Sequence, residues 1–137
     1  IPNKELRDDF MRNTKGIVAH IDSIAFVAAE AAYAKTDKWH KELIQYLKDN
    51  REMLVKRINK IKGLSLRGPE AGFLAWIDCR ETGLENPSNF FINEAKVGVY
   101  DGAWFGNKNY VRLNFGCPRF LLEEAINRIE KAFSQRN

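Results

Sequence analysis

Few side chains in this sequence have both the type and the setting to do chemistry. They are an arginine inside a strand, two cysteines, two histidines and a pair of carboxylates flanking one apolar run. The arginine has the sharper setting. In "YVRLNFGCPR", residues 110–119, Val111, Leu113 and Phe115 alternate with Tyr110, Arg112 and Asn114. A strand sends successive side chains to opposite faces, so the apolar set packs and Arg112 is left on the other face between two hydrogen-bonding neighbours. Gly116 breaks the strand, and Pro118 opens a helix, since its missing N–H would have no partner in a first turn. Arg112 therefore stands on a rigid element close to a strand-to-helix turn. A guanidinium there can grip a carboxylate with two parallel hydrogen bonds, which an ammonium cannot do. On this pattern alone two roles stay open, a structural ion pair and a ligand clamp.

The other candidates read as structural. Cys79 ends an apolar strand and Cys117 precedes a proline; neither lies in a CxxC, and two cysteines make no disulfide framework. Buried, reduced thiols of a cytoplasmic protein are the expectation. Cys117 lies near a helix start and so keeps some claim to reactivity. His40 follows Trp39 on an otherwise exposed helical face and reads as a surface residue, and His20 as a loop or cap residue. Asp78 and Glu70 flank the same strand, and an acid–base pairing would need an environment that the sequence does not display. No GxGxxG, GxxxxGK[ST], HExxH or GxSxG occurs. No phosphate loop, metal site or nucleophile elbow is therefore expected.

These side chains must be positioned by a chain of 137 residues, 45% hydrophobic and 29% charged, which argues for a packed domain, or one domain and part of another. Its net charge of +4 is spread without a basic block, which gives no footing for nucleic acid. No apolar run reaches the roughly 18 residues of a membrane span. Asn3 should cap a short amphipathic helix through "KELRDDFMRN". "IDSIAFVAAEAAYAK" has almost no polar face and predicts a helix buried nearly all round. Asp37 should then cap a long helix from Lys38 to Lys62, with Trp39, Leu43, Leu47, Leu54, Ile58 and Ile61 at helical spacing and Gly63 as a left-handed cap. A helix of that length often bridges two domains. From there strands are expected at "LSLR", "GFLAWIDC", "VGVY" and the arginine-bearing segment. Helices are expected from Asn86-Pro87 to Ala95 and across "PRFLLEEAINRIEKAF", the latter with Leu121, Leu122, Ala125, Ile129, Ala132 and Phe133 as its apolar stripe. "DGAWFGNKN" reads as a loop. The sum is an α/β fold with helices leading a compact two-layer sandwich.

"GFLAWIDCRETGL", "GVYDGAWFG" and "YVRLNFGCPRFLLEEAINRI", with "IPNKELR" and "AAYAKTDKWHKELIQYLKDNREML" before them, resemble the carboxy-terminal part of the MalY/PatB-type cystathionine β-lyases. These are aminotransferase-like enzymes of fold type I that use pyridoxal phosphate. The resemblance implies that residues 1–37 are helices from the end of the cofactor-binding large domain, 38–62 a connecting helix, and 63–137 the small C-terminal α/β domain. It implies that Arg112 binds the α-carboxylate of an amino-acid substrate whose β-thiolate is then eliminated, leaving pyruvate and ammonia. The catalytic lysine of that family lies in a Ser-x-x-Lys-like stretch, which is absent here, and the residues that grip the cofactor also lie upstream. The chain is therefore expected to be a fragment with no catalytic or cofactor-binding residue of its own, inactive alone, homodimeric when intact, and prone to self-association where the large domain is missing. Its start at Ile-Pro-Asn, without an initiator Met, fits a processed chain or a fragment. Ala71-Gly72-Phe73 departs from the family's Thr-Tyr-like pattern and bears on substrate preference. Two other readings remain: an aminotransferase using the same clamp, and a free-standing α/β interaction domain.

Overall fold

The computed structural model describes residues 1–17 and 21–136, so His20 lies outside the described residues. The chain divides into two compact units, Ile1–His40 and Lys41–Asn137. In the first, Asn3 caps α1 (Lys4–Thr14), its side-chain oxygen accepting from the Leu6 N–H at 3.0 Å. Asp22 caps α2 (Ser23–Lys35) in the same way, through the Ala25 N–H at 2.8 Å. The apolar character of α2 predicts burial, and here the structure differs. None of its residues is buried, and Ile24 and Tyr33 are 83% and 88% exposed.

The long helix α3 runs from Asp37 to Ile58. Asp37 belongs to its first turn rather than to its cap; the carbonyl of Thr36 just before it accepts the His40 N–H at 2.8 Å. The helix also closes a turn short of the expected Lys62. Tighter i→i+3 bonds, Lys60 N–H to Arg57 and Ile61 N–H to Ile58, wind the chain down before Gly63 takes a left-handed φ of +85°.

The second unit is built on a three-stranded antiparallel sheet, order β1-β3-β2, from β1 (Leu74–Asp78), β2 (Tyr100–Asp101) and β3 (Tyr110–Asn114). The expected strand at "LSLR" shrinks to one bridge, Ser65 to Asp78, and "VGVY" contributes only its last residue. Ala75, Ile77, Val111 and Leu113 form the inner face. They share one core with Leu54 and Ile58 of α3, Phe91 of α4 (Pro87–Asn93), and Leu122, Ile126 and Ile129 of α5 (Arg119–Ser134). Asn86 caps α4 through the Asn89 N–H at 2.9 Å, with Pro87 in the first turn, as the dipeptide predicts. Pro118 stands one position outside α5, as its N-cap. The stripe of α5 turns through Ile126, fully buried, while Leu121 stays 50% exposed. Arg57 ties α3 to α5 through paired bonds to Glu130 and one of 2.7 Å to Asn127. With its helices on one side, the sheet keeps its other face open.

Candidate functional site

The open face is set by register. Trp76 of β1 and Tyr100 of β2 both pair with Arg112, so all three side chains rise from the same side of the sheet. Asp78 and Tyr110 form the next pair along that face. Arg112 thus occupies the central strand, with an aromatic residue opposite it on each flank.

Its guanidinium carbon lies 4.7 Å from the ring centre of Tyr100 and 4.1 Å from that of Phe105. The second ring comes from a short 3-10 turn, Gly102–Phe105, that follows β2. Asp101 starts this turn, accepting the Ala103 N–H at 2.8 Å, and it is held in turn by the Ser88 hydroxyl at 3.0 Å. Gly102 is obligatory, because a Cβ there would strike the carbonyl oxygens of Asn107 and Tyr110. Gly106 ends the turn at a φ of +90°, which glycine adopts without steric cost. Trp76 meets Phe105 edge-on at 6.0 Å and stacks on Tyr110 at 5.2 Å, so the aromatic wall continues along the face.

Arg112 has a slot but no ion pair. Among the described residues no carboxylate lies within salt-bridge distance of it, and its Nε is a buried donor without an acceptor. An arginine held by two π faces keeps its N–H edge for something else. Asp78, the carboxylate on the same face, is already committed. Arg80 grips both of its oxygens and the Tyr110 hydroxyl donates to it at 2.9 Å. The Arg80 fork outweighs the cost of burial and holds Asp78 down at about 2, and the hydrogen bond that the Tyr110 hydroxyl donates to Asp78 pushes that hydroxyl up. Of the two roles open to Arg112, the structural ion pair finds no partner among the described residues.

The remaining candidates fall outside this setting. Burial pushes the Cys79 thiol up to about 12, and its Sγ–H is turned toward the Ile77 carbonyl. Cys117 is half-buried and also raised by burial. Glu70 makes a surface pair with Arg67 at 3.7 Å, and His40 is exposed. A cleft of about 660 Å³ between Lys60, Glu81, Glu130 and Arg136 is lined by none of the residues around Arg112. Sequence reasoning found Arg112 but missed Tyr100 and Phe105. The aromatic density of "VYDGAWFG" was the available signal, but only strand pairing reveals that these rings flank the arginine.

Comparison with known proteins fits this geometry into a family. Residues 5–129 match the model of aminotransferase class I and II. A cystathionine β-lyase of Corynebacterium glutamicum is 37% identical over 111 residues, covering 80% of this chain and 30% of that enzyme. Among solved structures, OvoB superposes with a TM-score of 0.93 at 46% identity over 98% of this chain and 35% of its own. A pyridoxal-phosphate-bound C–S lyase from Staphylococcus hominis does so at 0.82 and 26% identity, over 98% of this chain and 37% of its own. The chain thus spans roughly a third of the length of the proteins it matches. The α/β arrangement is the one expected for fold type I enzymes. By its sequence over nearly its whole length, and by the fold that carries Arg112, this chain belongs to the aminotransferase class I and II family.

Proposed function

We propose that this chain is the C-terminal part of a pyridoxal-phosphate-dependent C–S β-lyase of the cystathionine β-lyase type, in which Arg112 binds the α-carboxylate of the amino-acid substrate. The observation that carries the reading is the guanidinium itself, bracketed by Tyr100 and Phe105 on an open sheet face with no acidic partner among the described residues. A substrate carboxylate would take two parallel hydrogen bonds from it, each contributing about 1.5–3 kcal/mol when water is excluded. Held so, the substrate is turned as well as bound, and the orientation of its Cα–H is fixed by the clamp.

The described residues fit the carboxylate and not the cofactor. They offer one free guanidinium walled by aromatic rings, and no Ser-x-x-Lys stretch or glycine-rich phosphate loop occurs in the sequence. Pyridoxal phosphate, when bound, supplies an electron sink for charge developing at the substrate's Cα. Its seat, the Schiff-base lysine and any homodimer contact are assigned in this reading to parts of the enzyme outside this chain, and the chain alone is inactive. The test is Arg112→Lys in the full-length enzyme. The clamp predicts a loss of kcat/KM of about tenfold to a hundredfold, the worth of one lost charge-assisted bond. Unchanged kinetics would remove the assignment. Product analysis on the same preparation distinguishes a lyase, releasing pyruvate and thiol, from an aminotransferase of this family, releasing a keto acid.

A further inference from the structure

Among the described residues two polar side chains are buried in the second unit, Asn50 at 0% exposure and Ser88 at 7%. Each is tied to a segment that frames Arg112. Asn50 of α3 donates from its Nδ2 to the carbonyls of Phe115 and Cys117, both at 3.2 Å, and accepts from the Arg119 Nε at 3.0 Å. It therefore seizes the turn by which β3 leaves the sheet, beginning one residue after the strand ends. Tyr46, one helical turn earlier, takes the Arg119 backbone N–H at 2.6 Å and steadies the same turn. On the other side, Ser88 of α4 holds Asp101, and Asp101 starts the turn that delivers Phe105 against the guanidinium.

A buried amide that satisfies two carbonyls and a guanidinium tolerates little displacement, because each unmet bond leaves a desolvated group unpaired. An apolar side chain in either place would fill the core without fixing where the turn lies. We infer that Asn50 and Ser88 are positioning residues: Asn50 sets the strand that aims Arg112, and Ser88 sets the Phe105 wall against which it lies. Neither touches the substrate. The inference rests on the reading of Arg112 as the carboxylate clamp.

The experiment uses the full-length enzyme and asks how strongly it prefers a carboxylate to a carboxamide. The probes are S-methyl-L-cysteine and S-methyl-L-cysteinamide for kcat/KM. The rise in Tm given by L-alanine against L-alaninamide is a readout without turnover. Asn50→Asp keeps the acceptor for Arg119 and removes both donors; Ser88→Ala removes one hydroxyl and leaves the core filled. The expected result is a preference lowered about tenfold in Asn50→Asp, the scale of a small misplacement of a reacting group. Ser88→Ala should give a smaller loss in the same direction, and neither change should lower the preference further in an Arg112→Lys background. Equal losses on both probes, or full additivity with Arg112→Lys, would mean that the two residues only stabilise the fold, and would overturn the inference. If Asn50→Asp does not fold, Ser88→Ala and Tyr46→Phe decide it by the same ratio. An unchanged preference in Arg112→Lys itself would remove the clamp and this inference with it. A preference lost there but kept in the folded positioning variants would remove this inference alone.

Discussion

Among the described residues Arg112 is held by ring faces and not by a carboxylate, and this has an energetic consequence. An ion pair would fix the guanidinium by consuming the edge that a ligand needs. The rings of Tyr100 and Phe105 fix its plane and leave that edge free. Each cation–π contact at a partly exposed site is worth about 0.5–1 kcal/mol, so the slot is a weak device for stability and an effective one for orientation. If Arg112 is the clamp proposed above, Phe105→Leu should weaken carboxylate binding about twofold to fivefold, by the loss of one such contact, and leave Tm nearly unchanged because the ring is 47% exposed. Titrating L-alanine into the full-length enzyme and melting the same sample checks both halves. A Tm that falls in step with affinity would mean that Phe105 holds the fold rather than the arginine.

At the scale of elements, what was legible followed from local rules. Asn3 and Asn86 announced two helix starts, and the alternation from Tyr110 to Phe115 announced β3 together with the face that carries Arg112. What was not legible depended on partners distant in sequence. "LSLR" has strand composition, yet only Ser65 finds a bridge, so the segment stays extended without joining the sheet as a strand. Tyr100 and Phe105 reach Arg112 through a two-residue strand and a 3-10 turn, both too short to leave a periodic signature. The cap on α4 is a case where the local rule carries a measurable share of stability, since the Asn86 oxygen accepts the Asn89 N–H. Asn86→Ala should lower the stability of the full-length protein by about 1 kcal/mol, read from denaturant unfolding. Asn86→Asp should recover most of it. A neutral Asn86→Ala would show that Pro87 alone sets this helix start.

Over the whole chain, the two units differ in what they bury. The second has its own core of side chains from α3, α4, α5 and the sheet, whereas α1 and α2 contain no buried residue at all. The sequence predicts burial for α2 because its composition anticipates a cover, and composition does not say which chain supplies it. Ile24, Phe26 and Val27 are each more than 60% exposed, so this chain on its own should self-associate. Light scattering should find a mass above the 15.8 kDa of one chain. Ile24→Lys with Val27→Lys should bring it back toward that value, and a monodisperse monomer of the unaltered sequence would contradict the expectation. The strand order carries a further meaning. β1 and β2 both precede β3 in the chain, and they pair with β3 and not with each other. Neither of the first two strands meets its sheet partner until the strand bearing Arg112 follows them in the chain. The open face around Arg112 is thus complete only when all three strands are in place.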